Sequence, residues 1–164
     1  MIYKLERWAW GGGAALEGIA GLVNAVGLKS YAHQAVTHVT GTTSLFALAV
    51  AHGDTATWLT LGTVLAAFFA GATLSGWIIP NDALKLGRSY GAALLVESAL
   101  LFTASVLMHS DVRLGSYFAS AACGLQNAMA STYSGAALRT THLSGMFTDC
   151  GAAIGHWFRR APVA

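Results

Sequence analysis

The residues best placed to do chemistry stand in two similar stretches. The first reads His38-Val39-Thr40-Gly41 and continues through Thr42 and Thr43. The second reads His142-Leu143-Ser144-Gly145 and follows Arg139 and Thr140. Each opens a short apolar run. A helix that starts at Thr-Gly or Ser-Gly leaves its first backbone N–H groups without intrahelical partners. In hydrocarbon such a bare end must be met by protein, water or a ligand. Two such ends, at Thr40 to Thr43 and at Ser144 to Phe147, would offer a pair of positive dipole termini to an anionic or polar group. Arg139 would add a formal positive charge. The plainer reading is that Thr40, Thr42, Thr43 and Ser144 only satisfy their own backbone, and the two readings are compatible.

Three carboxylates, Glu17, Glu97 and Asp149, lie inside apolar segments. There a charge costs about 2.5–3.5 kcal/mol even on insertion scales. Each therefore requires a cavity, a partner or a proton. Helical spacing puts Glu17, Gly21 and Asn24 on one face, giving a polar stripe with a gap of small side chains. Carrying a coupling proton is the sharper role for these acids, and a structural hydrogen bond to a neighbouring helix is the blander one. Asn24, Gln126 and Asn127 could orient a bound solute by hydrogen bonds, beside charge set by His38, His142 and Arg139.

The histidines support a competing idea. His38 and His52 are 14 positions apart, as are His142 and His156, which on a straight helix is about 21 Å along nearly one face. Paired helices with that spacing hold two b-type haems in membrane cytochromes, so haem b is the alternative cofactor. Against it, Gly41 and Gly145 point to breaks in both helices. His52 adjoins Gly53 and Asp54, and His156 adjoins Trp157 and two arginines, as residues at a membrane surface do. His33 and His109 read as loop and interface residues. Cys123 and Cys150 match no metal or redox spacing and read as small buried hydrophobes.

The elements that must position these groups follow from composition. The chain has 164 residues, of which 55% are hydrophobic and only 10% charged, with mean hydropathy +0.56. A soluble domain carries roughly 25% charged residues, so this chain cannot coat a water-facing surface. Its charges gather between apolar runs, at Lys4 to Arg7, Asp82 to Arg88, Asp111 to Arg113 and Arg159 to Arg160. That layout predicts an all-α fold, a polytopic transmembrane helical bundle. A net charge of +2 with no basic run excludes nucleic acid as a partner. No Gly-rich loop after a strand, zinc spacing or nucleophile elbow is present, which leaves transport ahead of enzyme chemistry.

Four segments are long enough to cross about 30 Å of hydrocarbon: Trp8 to Leu28, Thr57 to Ile79, Tyr90 to Met108 and Leu114 to Ala130. Trp8, Trp10, Trp58 and Trp77 sit near segment ends, at headgroup level, and Pro80 closes the second segment. The first segment carries Glu17 and Asn24 and offers no cleavage site, so it is expected to be retained rather than removed as a signal peptide. Two further segments, Thr40 to Ala51 and Leu143 to Trp157, are shorter and predict half-length or broken helices. Many of the 19 glycines fall at small-residue spacings inside helices, where they let backbones approach in lipid.

The halves of this single membrane domain, about 1–80 and 90–164, echo each other. Gly21-Leu-Val-Asn-Ala answers to Gly124-Leu-Gln-Asn-Ala, and His38-Val-Thr-Gly to His142-Leu-Ser-Gly. Paired Gly-interrupted segments in an internal repeat point to a transporter's binding site. Placing the basic groups at Lys4 and Arg7, Lys85 and Arg88, and Arg159 and Arg160 all on the cytoplasmic side requires each short segment to dip in and return.

The stretch His33-Gln-Ala-Val-Thr-His-Val-Thr-Gly-Thr42, together with Gly124-Leu-Gln-Asn-Ala128, Arg139-Thr-Thr-His-Leu-Ser-Gly145 and Thr148-Asp149, resembles the YoaK family. These are bacterial inner-membrane proteins of the DUF1275 or UPF0700 group. The resemblance runs over nearly the whole chain. It implies a multi-pass helical transporter without an assigned substrate. Many relatives carry Asp where Asn24 stands and Asn where Thr42 stands. Relatives also continue into a further apolar helix, which implies that the final helix is lacking here or is supplied by a partner. The partners expected are thus the lipid bilayer, a small polar or anionic molecule, and either further copies of the chain or a partner membrane subunit. A non-transporting subunit of a larger membrane complex is the remaining alternative.

Overall fold

The structure is a computed structural model. It describes residues 7–29, 38–80, 87–110 and 113–134, with single positions at 148, 151, 152, 154, 155 and 158. Among the described residues five helices are formed: α1 (Arg7–Lys29), α2 (Val39–Ala51), α3 (Thr55–Ile78), α4 (Arg88–His109) and α5 (Leu114–Ser134). No strand occurs among the described residues.

The long helices end where local chemistry ends them. Asp54 caps α3, its Oδ1 accepting from the Thr57 N–H at 3.2 Å. At the other end Ile79 turns extended ahead of Pro80, which cannot continue a helix. Between α2 and α3, Gly53 adopts φ +70°, a left-handed conformation that suits glycine. The Asp54 N–H then reaches back to Ala49 O at 2.9 Å. This three-residue turn folds α2 back antiparallel along α3, with Phe46 set edge-on to Trp58 at 6.4 Å.

The Thr57 hydrogen bond holds the fully exposed Asp54 carboxyl below its ordinary range. A carboxylate with a lowered folded pKa contributes stability above its unfolded value and loses it as pH falls through the folded value. Asp54→Ala is therefore expected to lower the melting temperature at pH 7. The gap to the parent should narrow as pH falls through the parent's lowered carboxyl range, where the cap is itself protonated. Thermal melts across an acid pH series check this.

The bundle is apolar outside and small-to-polar inside, the reverse of a soluble domain. Large side chains face outward on every long outer helix, with Leu22, Phe69, Trp77, Leu95 and Phe102 all at least 70% exposed. Hydroxyls on these faces are satisfied within their own helix. Thr60, Thr63, Thr73, Ser98 and Thr103 each donate to the carbonyl four residues earlier at 2.8–2.9 Å, so these hydroxyls face outward already satisfied. Gly11–Lys29, α3 and α4 are long and apolar enough to cross a membrane.

The fourth expected span, α5, is long enough but does not meet the same apolar criterion. Its position explains why. It is the central helix, packed by α1, α3 and α4, and it buries Gly115, Ser116, Ala119, Ser120, Ala122, Cys123, Gly124, Leu125 and Gln126. A helix wrapped by other helices needs no apolar coat. It needs small side chains that let neighbours approach.

The closest approach joins α5 to α3. A methyl group on Gly124 would collide with the Phe68 carbonyl, and one on Gly71 with the Ala121 carbonyl. Each glycine thus lets the other helix's backbone pass. Ser120 Oγ donates to Val64 O at 2.8 Å across the same seam. The pairings of Val64 with Ser120 and of Phe68 with Gly124 set α3 and α5 parallel. Ser120→Ala removes that tie and leaves Val64 O to its helical bond alone, so a loss of about 0.5–1.5 kcal/mol is expected in denaturant titration of the micellar protein.

Helix α4 returns antiparallel to α5. Met108 crowds Gly115 at 2.7 Å from where a Cβ would sit, Ala104 packs with Ala119, and Tyr90 meets Tyr133 edge-on at 5.9 Å. Helix α1 also runs antiparallel to α5: Gln126 Nε2 donates to Leu16 O, and Val23 packs against Ala104 and Ala119. The starts of α1 and α4, carrying Arg7 and Arg88, consequently share one end of the bundle. The His52 turn, Lys29 and His109 share the other.

Candidate functional site

The antiparallel pairing of α4 with α5 brings Glu97, halfway along α4, level with Gln126. Glu97 is 4% exposed, and its Oε2 has no hydrogen-bond partner among the described residues. It lies within electrostatic reach of Cys123, one turn away on α5. Asn127 Oδ1 and Ser75 Oγ are likewise buried without hydrogen-bond partners among the described residues. Glu97, Gln126 and Asn127 form a polar layer across the middle of the bundle, and Ser75 lies nearer the end of α3. Gln126 serves it structurally, tying α1 to α5 through Leu16 O. Glu17, next to Leu16, reaches the same level but is only half-buried.

Helix α2 is a second feature. It has 13 residues against 24 in α3, so at 1.5 Å per residue it is about 20 Å long beside about 36 Å. Folded back from the shared turn, its first residues come level with the middle of α3. There it begins without a side-chain cap, at His38 with φ −88° and ψ 73°. The hydroxyls of Thr42, Thr43 and Ser44 donate backward to the carbonyls of His38, Val39 and Thr40 at 3.0, 2.8 and 3.1 Å. They satisfy acceptors, not the helix's leading N–H groups. The first intrahelical backbone bond is Thr42 N–H to His38 O. Thr40 and Gly41 are exposed, and Thr42 is buried against α3.

The helix runs unbroken through Gly41, where the sequence pointed to a break. The discontinuity comes one residue before Val39. His38 and His52 stand at opposite ends of α2, both exposed. The His52 ring Nδ1 donates to Leu48 O at 2.8 Å and so helps close the helix. Among the described residues, no cluster of three His, Cys, Asp or Glu side chains could hold a metal ion.

These placements group the expected residues in two. Glu17, Glu97, Gln126 and Asn127 fall in one layer around α5. His38, Thr40, Gly41 and Thr42 gather at the start of α2, which among the described helices touches α3 alone. Helix α3 is thus the element that contacts both groups. Asn24 lies about two turns further along α1 than Glu17, toward the Lys29 end. Arg139, Thr140, His142, Ser144, Gly145, Asp149 and His156 lie outside the described residues.

Sequence reasoning missed Ser75 and the nearness of Cys123 to Glu97. Ser75 follows Gly71 by one turn and so shares the face that meets α5, which is a usable signal once Gly71 is known to be the crossing point. Cys123 is free and buried, as expected, but its position next to a buried acid depends on the register of α4 against α5. No spacing within either helix reports that register.

No curated protein and no solved structure matches the chain. A family model described as a protein of unknown function (DUF1275) matches residues 12–164, and the chain belongs to the DUF1275 family.

Proposed function

We propose that this chain is a multi-pass permease of the bacterial inner membrane that moves a small polar or anionic molecule, with Glu97 carrying the coupling proton. The observation that carries the reading is the uncapped start of α2 halfway along α3. With α3 spanning the bilayer, that start lies near the midplane, where N–H groups without intrahelical partners and the positive end of a helix dipole attract an anion or a polar oxygen. Half-length helices beginning at membrane depth line cavities in transporters for this reason.

In this reading α2 is a re-entrant segment that dips from the Lys29 end and returns to it. Arg7 and Arg88 then share the cytoplasmic side, in keeping with the positive-inside bias. Thr40 and Gly41 supply backbone donors, and Thr42 closes the first turn through its N–H to His38 O. Ser144 and Gly145 form the matching start in the second half, with Thr140, His142, His38 and Arg139 setting charge around the solute. Asn24, Gln126 and Asn127 belong to α1 and α5, which do not contact α2, and take no part in holding the solute at this start. Glu97, buried and unpartnered among the described residues, is the acid best placed to take up and release a proton, and Glu17 and Asp149 are its relays.

The test is a thermal-shift screen of carboxylate, phosphate and amino-acid metabolites on the detergent-solubilised protein. A ligand at a hundred times its dissociation constant adds about 2.7 kcal/mol. A stabilising metabolite whose effect is lost in Arg139→Ala and His142→Ala supports the site. If uptake of that metabolite into reconstituted vesicles is unchanged in both variants, the assignment is wrong.

A further inference from the structure

Helices α1 and α4 both pack on α5, and their backbones do not approach each other closely. Between them runs an open groove of about 550 Å³, within the range of sites that hold small-molecule ligands. Its walls are Leu22 and Val26 on α1 and Leu101 and Met108 on α4, and its floor is the small pair Ala104 and Ala119. Lys29 and His109, in the last turns of α1 and α4, line the end of the groove. No carboxylate is among the lining residues.

We propose that this groove binds one anionic phospholipid, with an acyl chain along the walls and the phosphate at Lys29 and His109. Shape and charge select this occupant. Between two lipid-facing helices, a channel whose walls are apolar apart from the Ser105 hydroxyl gives a hydrocarbon chain contact on three sides. Small floor residues provide the depth. A lysine at a helix end extends its ammonium to headgroup level, where it attracts a phosphate. The imidazole of His109, the last residue of α4, adds a donor beside it. This groove lies at the far end from Arg88 and is independent of the permease reading, since neither Glu97 nor any α2 residue lines it.

The experiment is native mass spectrometry of the purified chain. The protein is equilibrated with equal amounts of phosphatidylglycerol and phosphatidylcholine bearing the same acyl chains. The parent chain is expected to retain one phosphatidylglycerol in preference to phosphatidylcholine. Lys29→Gln, at an exposed helix end, should lower that preference about fivefold, the effect of one basic side chain near the headgroups, while leaving total bound lipid unchanged. Ser105→Trp, which fills the groove from its α4 wall, should reduce retention of both lipids. Leu22→Trp on the facing wall should do the same and replaces the Ser105 variant if that one does not fold. Equal retention of the two lipids by the parent, an unchanged preference in Lys29→Gln, or a lipid-free dimer with a second copy in the groove would each overturn the proposal.

Discussion

Gly124→Val is expected to be the most destructive single substitution in the described bundle, with Gly71→Val close behind. At both positions the atom in the way is a backbone carbonyl of the facing helix, of Phe68 for Gly124 and of Ala121 for Gly71. A flexible side chain could swing aside, but a helix backbone cannot. The two helices must separate, and separation opens the seam that also holds the Ser120 to Val64 hydrogen bond. Overpacking usually costs about 1–3 kcal/mol. A forced backbone displacement belongs at or above the top of that range, so about 3 kcal/mol or more is expected. In lipid the loss is not recovered by hydrophobic burial elsewhere, because helix association there depends on close packing. Denaturant titration of the micellar protein, followed by circular dichroism, measures it. Because both substitutions break one seam, the double variant should lose much less than the two single losses together. Gly11, Gly18 and Gly21 on α1 have open space where a methyl would go, so Gly18→Ala should leave stability unchanged.

Glu97 is expected to behave in the opposite way, with its removal leaving the fold at least as stable and ending coupled transport. A buried polar atom without a partner carries its desolvation cost with no compensating bond, about 1–3 kcal/mol. Glu97→Leu, similar in size and fully apolar, is therefore expected to raise stability by that order. Glu97→Gln should keep the shape and remove the exchangeable proton. If Glu97 served only to hold helices together, both substitutions would lower the melting temperature. In vesicles containing either variant, exchange of a transported metabolite should continue while its accumulation against a gradient stops. A pH-sensitive dye inside the vesicles reports the missing proton flux.

The helix inventory was largely legible because lipid imposes a simple rule. Runs of about 20 apolar residues with aromatic and charged ends mark α1, α3 and α4, and Pro80 marks the end of α3. The short length of α2 was legible too, from the polar Thr-Gly stretch in its first turn and the His-Gly-Asp turn after it. Less legible was the difference between α5 and its neighbours. Ser116, Ser120, Cys123, Gly124 and Gln126 lower its hydropathy, and that signature of a central helix reads in isolation only as a weaker span. The Gly71 and Gly124 crossing could not be read at all, since the chain offers many small-residue spacings and only the three-dimensional register selects the pair that meets. The same holds for the polar layer. Glu97 was identifiable as costly, but its level with Gln126 and Asn127 depends on the pairing of α4 with α5, which Ala104, Met108, Gly115 and Ala119 set through contacts between helices.

The central claim is that the start of α2 opens to water from within the bilayer and receives the solute there. The most direct measurement is cysteine accessibility in oriented proteoliposomes. Thr40→Cys is made in a chain whose Cys123 and Cys150 are alanine, and it is treated from the Gly53 end with a membrane-impermeant thiol reagent. Thr40→Cys is expected to react, Phe69→Cys on the lipid-facing surface of α3 is not, and a stabilising metabolite should slow the reaction at Thr40→Cys. A Thr40→Cys side chain as unreactive as Phe69→Cys, or one whose reaction no metabolite slows, would contradict it.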